Sequence, residues 1–260
     1  MIEQIKIGCA STKTTYGHRL DTTLVELNSD AKISGLFTSN KFKSAPVQIC
    51  LDQLEAKMKG KKMLAINAGN ANAATGKKGV SDAKKLIQEI SNLTNISTTQ
   101  ILPFSTGVVG QLLDVKQLSS AFNKCFKNLS KNSWDDFAKA IMTTDTKSKI
   151  IKLPFKAGSK KYHIVGIAKG VGMIEPNMAT TLSYVFTDLK IPESTLRKLH
   201  KRICDKTFNA ISIDGDQSPS DSSILVATGS SKVNFKNYSK KIEKDIFSIF
   251  SKLSEKLVLD

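Results

Sequence analysis

Two periodicities alternate along this chain with little sequence between them. Runs rich in β-branched and aromatic residues, Thr22 to Leu27, Leu64 to Asn67, His163 to Ala168, Thr181 to Thr187, Ala210 to Ile213 and Ile224 to Ala227, have the composition of strands. Between them stand amphipathic patterns of helical period. Ser81 to Asn92 places Ala83, Leu86, Ile87 and Ile90 on one face, with Ser81 as N-cap. Ser133 and Asp136 have capping-box spacing ahead of Phe137, Ile141 and Met142. A third helix is expected to start with Pro192 in its first turn and to bury Leu196, Leu199 and Ile203. A last pattern, Ile242, Ile246, Ile249, Phe250, Leu253 and Leu257, runs into Leu-Val-Leu-Asp, an abrupt ending that suggests a chain cropped at its carboxy terminus. The alternation predicts an α/β fold of sheets flanked by helices, without internal repeats or an obvious linker.

Length and composition fit that expectation. With 260 residues, 40% of them hydrophobic, the chain can bury a core in one large domain or two closely packed lobes. No apolar run has the length of a signal peptide or membrane span, so a cytoplasmic, membrane-free protein is expected. Cys9, Cys50, Cys125 and Cys204 are scattered and form no CxxC pair, which predicts reduced, mostly buried thiols. The net charge of +16 invites a nucleic-acid partner, yet only Arg19, Arg197 and Arg202 among the 39 basic residues are arginine, and the lysines are dispersed. Solvated lysine faces or attraction of anionic metabolites is the expected use of the charge.

Several motifs fail on inspection. Asn67 to Gly79 resembles a phosphate loop, but Ala71 stands at the first glycine and Lys78 at the hydroxyl position. Asp214, Asp216 and Ser218 resemble the start of a calcium loop, with Pro219 at the turn glycine and Leu225 at the bidentate glutamate. Ser81 to Lys84 matches SxxK without its companion motifs. His18, His163 and His200 share no metal-ligand spacing, so no metal site is expected.

Two segments carry chemistry. From Ala168 to Ala179 the sequence is glycine-rich and contains Pro176, and a strand-like run begins at Thr180. Catalysis by an N-terminal threonine needs that layout, a strained, accessible bond before the nucleophile and a rigid strand after it. A free α-amine titrates near ~7.7 to 8.0, so it can take the proton from its own residue's hydroxyl. The second segment is Pro103 to Gly110, where Thr106 offers a hydroxyl and Gly107 an unobstructed backbone N–H on a tight turn. Such donors can hold an oxyanion. On spacing alone both segments also fit ordinary glycine-rich turns.

Together these strings resemble the ornithine acetyltransferase family, the bifunctional glutamate N-acetyltransferases of arginine biosynthesis. The likeness runs through Gly35-Leu-Phe-Thr-Ser-Asn with Ala45-Pro-Val, Ile66-Asn-Ala-Gly-Asn-Ala-Asn-Ala, Ser105-Thr-Gly-Val-Val-Gly, Met142-Thr-Thr-Asp-Thr, Ala168-Lys-Gly-Val-Gly-Met, Pro176-Asn-Met-Ala-Thr and Ile213-Asp-Gly-Asp. The resemblance implies an N-terminal-nucleophile-like fold, two sheets sandwiched by outer helices. It also implies self-cleavage between Ala179 and Thr180 into chains 1–179 and 180–260 that stay associated, in a heterotetramer. Thr180 would be the nucleophile, Thr106 and Gly107 the oxyanion donors, and Thr143, Lys169 and Thr180 the substrate contacts. A lysine ammonium suits a substrate carboxylate on chemical grounds as well.

The implied reaction passes acetyl from N2-acetylornithine to glutamate through acetyl-Thr180, with no metal or redox cofactor and with acetyl-CoA as a further donor in some members. An N-terminal-nucleophile amidohydrolase or aminopeptidase, an inactive truncated relative and a basic binding protein are the alternatives. Two departures stand out. Gln217 to Asp221 replaces the family's Ser-Thr-Asn-Asp run. After Asp260 the family pattern would go on with a Gly-Glu-Gly turn whose glutamate binds substrate.

Overall fold

A computed structural model describes residues 2–131, 133–171, 181–212 and 218–260. In chain order the first elements are β1 (Ile5–Ala10), β2 (Thr22–Leu27), β3 (Lys32–Phe37), α1 (Ala45–Glu55), β4 (Lys62–Asn70), α2 (Gly76–Thr94) and β5 (Ile101–Val108). There follow α3 (Val115–Lys127), α4 (Trp134–Ala140), β6 (Lys149–Ala157), β7 (Lys160–Lys169), β8 (Leu182–Thr187), α5 (Glu193–Cys204), β9 (Ser222–Ala227) and α6 (Ser239–Val258). They fall into two compact units. One contains Ile5–Ser29 and Asn40–Thr143, the other Met1–Gln4, Asp30–Ser39 and Thr144–Asp260. The division proposed by the resemblance, at 179/180, is a covalent one and differs from this grouping by packing.

The first unit is built on a sheet of order β1-β2-β4-β5. β1 and β2, and β2 and β4, pair antiparallel, whereas β4 and β5 run parallel and need a crossover, which the 19 residues of α2 supply. Ala83, Leu86, Ile87 and Ile90 of α2 join Leu118, Phe122 and Cys125 of α3 and Met63 and Ile101 of the sheet in one apolar core. Fully burying a side chain of this size stabilises by roughly 1.5 to 3 kcal/mol.

The second unit holds a sheet of order β3-β9-β8-β7-β6, antiparallel except for β8 and β9. All six residues of β8 and of β9 are buried, as central strands require, while β6 at the edge alternates between core and solvent. The apolar stripe of α6 foreseen from the sequence, Ile242, Ile246, Ile249, Phe250, Leu253 and Leu257, is fully buried and packs against β6 and β7. Beyond it Val258 and Leu259 are exposed, and the Asp260 carboxylate pairs with Lys149. Among the described residues no helix is long and apolar enough to cross a membrane.

Four expectations are corrected. Ala210 to Ile213 is not a strand: Phe208–Ala210 is a turn of 3-10 helix, Ile211 and Ser212 are irregular, and Ile213 lies outside the described residues. Ser81 is no cap, because α2 starts a turn earlier behind Thr75 and carries Ser81 in its interior. Pro192 precedes α5 as its N-cap residue instead of entering the first turn. Ser133 does sit at the N-cap of α4, but its hydroxyl pairs with Ser130 Oγ at 3.0 Å and forms no capping hydrogen bond, while Ile141 and Met142 follow the helix. The four cysteines are buried and unpaired, and burial pushes the thiols of Cys9, Cys125 and Cys204 up to about 12.

Candidate active site

Thr106 and Gly107 do not sit on the tight turn expected from the sequence but near the end of β5, where the ends of β4 and β5 lock onto each other. β4 and β5 run side by side with Ala68 opposite Thr106 and Gly69 opposite Gly107, and the register breaks in a bulge at Asn70. Ser105 Oγ donates to Asn67 Oδ1 at 2.6 Å, and Asn67 Nδ2 donates to the Asn70 carbonyl at 2.9 Å. Asn70 Nδ2 in turn reaches the carbonyls of Gln111 and Leu112, and the N–H groups of Ala71 and Gly110 donate to the carbonyls of Val108 and Ala73. The two segments singled out separately, Asn67 to Ala73 and Ser105 to Gly110, are thus halves of one structure.

Glycine is obligatory at its centre. Gly107 has φ +129°, and a Cβ there would lie 2.3 Å from the carbonyl carbon of Gly69 and 2.7 Å from the nitrogen of Asn70. No other residue allows this approach. Beside it Thr106 is 6% exposed, and among the described residues its hydroxyl makes no hydrogen bond. A nearly buried hydroxyl without a partner, on a backbone fixed from both sides, can donate to an oxyanion without being pulled away by a neighbour.

Thr143 belongs to the same unit and lies just after α4. Arg19 holds that segment. Its guanidinium donates to the Met142 carbonyl at 2.7 Å and to the Thr143 carbonyl at 3.5 Å, and stacks 3.8 Å over the Tyr16 ring. Nothing in the sequence marked Arg19 for this task except its rarity in a lysine-rich chain.

Lys169 belongs to the other unit and closes β7, opposite Leu182 of β8. The residue is 4% exposed, and burial holds its ammonium below the usual lysine range, against the opposing pull of Asp145 and Asp221 and with help from Lys149. Asp145 Oδ1 accepts both from the Gly170 N–H and from Lys149 Nζ, each at 2.7 Å, and Lys149 reaches Asp260 Oδ2 at 2.5 Å. A buried, balanced ammonium of this kind can pair with a carboxylate. Asp145 lies in the Met142-Thr-Thr-Asp-Thr string, whose sequence does not mark it for this task.

The structure thus gathers Thr106, Gly107 and Thr143 in one unit and sets Lys169 in the other. Ala179 and Thr180 lie outside the described residues, as do Asp214 and Asp216. The chain is described again from Thr181, whose carbonyl accepts from the Ser222 N–H at 3.0 Å, directly before β8. His200 is structural. It is fully buried, its ring nitrogens pair with Ser34 Oγ and Ser223 Oγ at 2.9 and 3.0 Å, and burial lowers its pKa to about 3. Among the described residues no group of three or more His, Cys, Asp or Glu side chains is placed to hold a metal ion.

Comparison with known proteins places this chain. The pattern of the ArgJ family matches residues 4–260. The arginine biosynthesis bifunctional protein ArgJ of Colwellia psychrerythraea is 41% identical over 239 residues, 88% of this chain and 56% of its own length. That of Methylococcus capsulatus is 33% identical over 263 positions, covering 100% of this chain and 64% of its own. The chain therefore spans 56 to 64% of the length of these curated relatives. Among solved structures, the argJ protein of Bacillus halodurans superposes with a TM-score of 0.57 at 26% identity, over 68% of this chain and 91% of that one. The ornithine acetyltransferase of Mycobacterium tuberculosis, crystallised with ornithine, gives 0.54 at 24% identity, over 66% and 91%. By the extent of the family match and by its identity to these relatives, the chain belongs to the ArgJ family.

Proposed function

We propose that this chain forms the amino-terminal part of a self-processing acetyltransferase that moves acetyl from N2-acetylornithine to glutamate. The observation that carries the proposal is the Thr106 hydroxyl, without a partner among the described residues and beside an obligatory glycine, in a chain whose family includes proteins named for arginine biosynthesis. Cleavage between Ala179 and Thr180 would divide the precursor into chains 1–179 and 180 onward, which stay associated as a heterotetramer. The layered arrangement of N-terminal-nucleophile enzymes goes with that reading.

In the first half-reaction Thr180 Oγ attacks the acetyl carbonyl carbon while the α-amine of Thr180 takes the hydroxyl proton. The oxyanion forms against the Thr106 hydroxyl and the Gly107 N–H, donors whose loss costs on the order of 3 kcal/mol in the barrier. The carbon–nitrogen bond breaks, the proton passes to the departing amine, and ornithine leaves. The amine of glutamate then attacks the acetyl ester, acetylglutamate departs, and Thr180 regains its proton. Lys169 and Thr143 bind the substrate, Lys169 through its carboxylate. The chemistry requires no metal or redox cofactor, and acetyl-CoA could supply the same acetyl group.

Incubation with acetylornithine, with and without glutamate, tests the proposal. Acetylglutamate formed only when glutamate is present supports the transferase. Free acetate at the same rate in both samples would make the protein an amidohydrolase, and no acetyl release in either would remove the activity.

A further inference from the structure

Asp145 is nearly out of reach of solvent and makes two contacts that point to one task. Its Oδ1 accepts from the N–H of Gly170, the residue directly after Lys169, at 2.7 Å. The same oxygen accepts from Lys149 Nζ, also at 2.7 Å, with side-chain exposures of 2% for Lys149 and 0% for Asp145. Lys149 is held from its other side by Asp260, which also accepts from the N–H and hydroxyl of Thr146. Among the described residues, Asp145 and Asp221 favour the Lys169 ammonium and Lys149 opposes it. A main-chain anchor and a buried counter-charge therefore come from one carboxylate.

We propose that Asp145 is the positioning residue for Lys169, fixing the strand end that carries it and keeping its ammonium charged inside the protein. The idea rests on the proposed role of Lys169 as a substrate contact. Without Asp145 a lysine this deeply buried moves toward its neutral form, which cannot pair with a carboxylate. Lys149 sets the balance from the other side, since it shares the Asp145 oxygen and repels the Lys169 ammonium.

That arrangement predicts shifts of opposite sign from two variants. In Asp145→Asn the amide oxygen can still accept from Gly170 while the charge is lost. The Lys169 ammonium should then titrate lower than in the wild type by on the order of one pH unit. In Lys149→Met a repelling neighbour is removed, and Lys169 should titrate higher. Both are read by NMR on the full chain labelled at lysine 13Cε and 15Nζ, with the Lys169 signal assigned by its absence in Lys169→Met. A Lys169 titration that does not move in Asp145→Asn, or that moves downward in Lys149→Met, overturns the proposal, because general loosening cannot move the two variants in opposite directions. Should Asp145→Asn fail to fold, Asp145→Glu takes its place: the charge is kept, the Lys169 titration should stay near that of the wild type, and a fall there overturns the proposal. The measurement needs no turnover, so its outcome is separate from that of the acetyl-transfer assay.

Discussion

The end of β5 bearing Thr106 and the end of β7 bearing Lys169 hold their side chains by opposite means. Around Thr106 the restraints among the described residues are neutral: two glycines in close approach, amide side chains on carbonyls, and a parallel strand pair. Around Lys169 the restraints are ionic, a set of buried carboxylates and ammonium groups sharing oxygens. The contrast fits the tasks proposed for the two residues. A donor for a developing oxyanion must be rigid and must not already be committed, whereas a cation for a carboxylate must stay charged away from water. The neutral strand end should accordingly be sensitive to shape, and the ionic end to pH.

The largest effect should come from Gly107→Ala, which forces a Cβ to within 2.3 Å of the Gly69 backbone at a φ of +129°. A loss of roughly 3 to 5 kcal/mol of stability is expected. A melting temperature within a degree of the wild type would show that the strand end yields, and the neutral lock would not be rigid.

Thr106→Ala separates holding from donating. Among the described residues its hydroxyl supports nothing, so thermal stability should be nearly unchanged while acetylation of Thr180 slows by about 10²- to 10³-fold. Equal loss of stability and rate would make Thr106 a structural residue.

The pH side of the comparison can be read at His200, in the unit that also holds Lys169. Burial keeps this imidazole neutral down to about 3, whereas the unfolded chain takes up its proton near 6.5. The sign follows: its contribution to stability is intact above pH 6.5 and declines as the pH falls toward 3. The decline is up to ~1.4 kcal/mol per unit, or about 2 kcal/mol between pH 7 and 5. Denaturant titrations of His200→Gln at several pH values should show a flatter dependence than the wild type. Parallel curves would remove His200 from the account.

The smallest effect is a control on charge as such. Arg202 and Glu243 form an ion pair at 2.9 Å whose side chains are 53% and 38% exposed. Arg202→Gln should change stability by less than about 0.5 kcal/mol. A larger loss would blur the distinction drawn between buried and surface charge.

What the sequence disclosed follows the same physics. Local signals with one clear face survived. The stripe of α6 and the apolar positions of α2 are buried as their spacing requires. Strands whose composition is mixed went unseen. β6 carries Lys149, Lys152 and Lys156 and reads as polar, because one face of an edge strand meets solvent, and β3 contains Lys32, Ser34 and Gly35. Ala210 to Ser212 have strand-like neighbours in sequence but pair with no strand among the described residues, and propensity without pairing did not suffice.

At the candidate site, Thr106 and Gly107 could be singled out from a compact motif, and Lys169 through the family resemblance that such motifs carry. Arg19 and Asp145 act over distance in sequence, Arg19 on Met142 and Thr143, Asp145 on Gly170, and no local pattern announces such contacts.

The central claim is that the Ala179–Thr180 bond is cut by the chain itself and that Thr180 then carries the acetyl group. Intact mass spectrometry of the purified chain, beside Thr180→Ala prepared in the same way, tests it most directly. The account predicts two fragments, 1–179 and 180–260, from the wild type, with a gain of one acetyl group on the second after exposure to acetylornithine. Thr180→Ala should remain a single species of 28.4 kDa less the small difference of the substitution. A folded wild type that stays whole at 28.4 kDa, or a Thr180→Ala variant that is cut at the same bond, would contradict it.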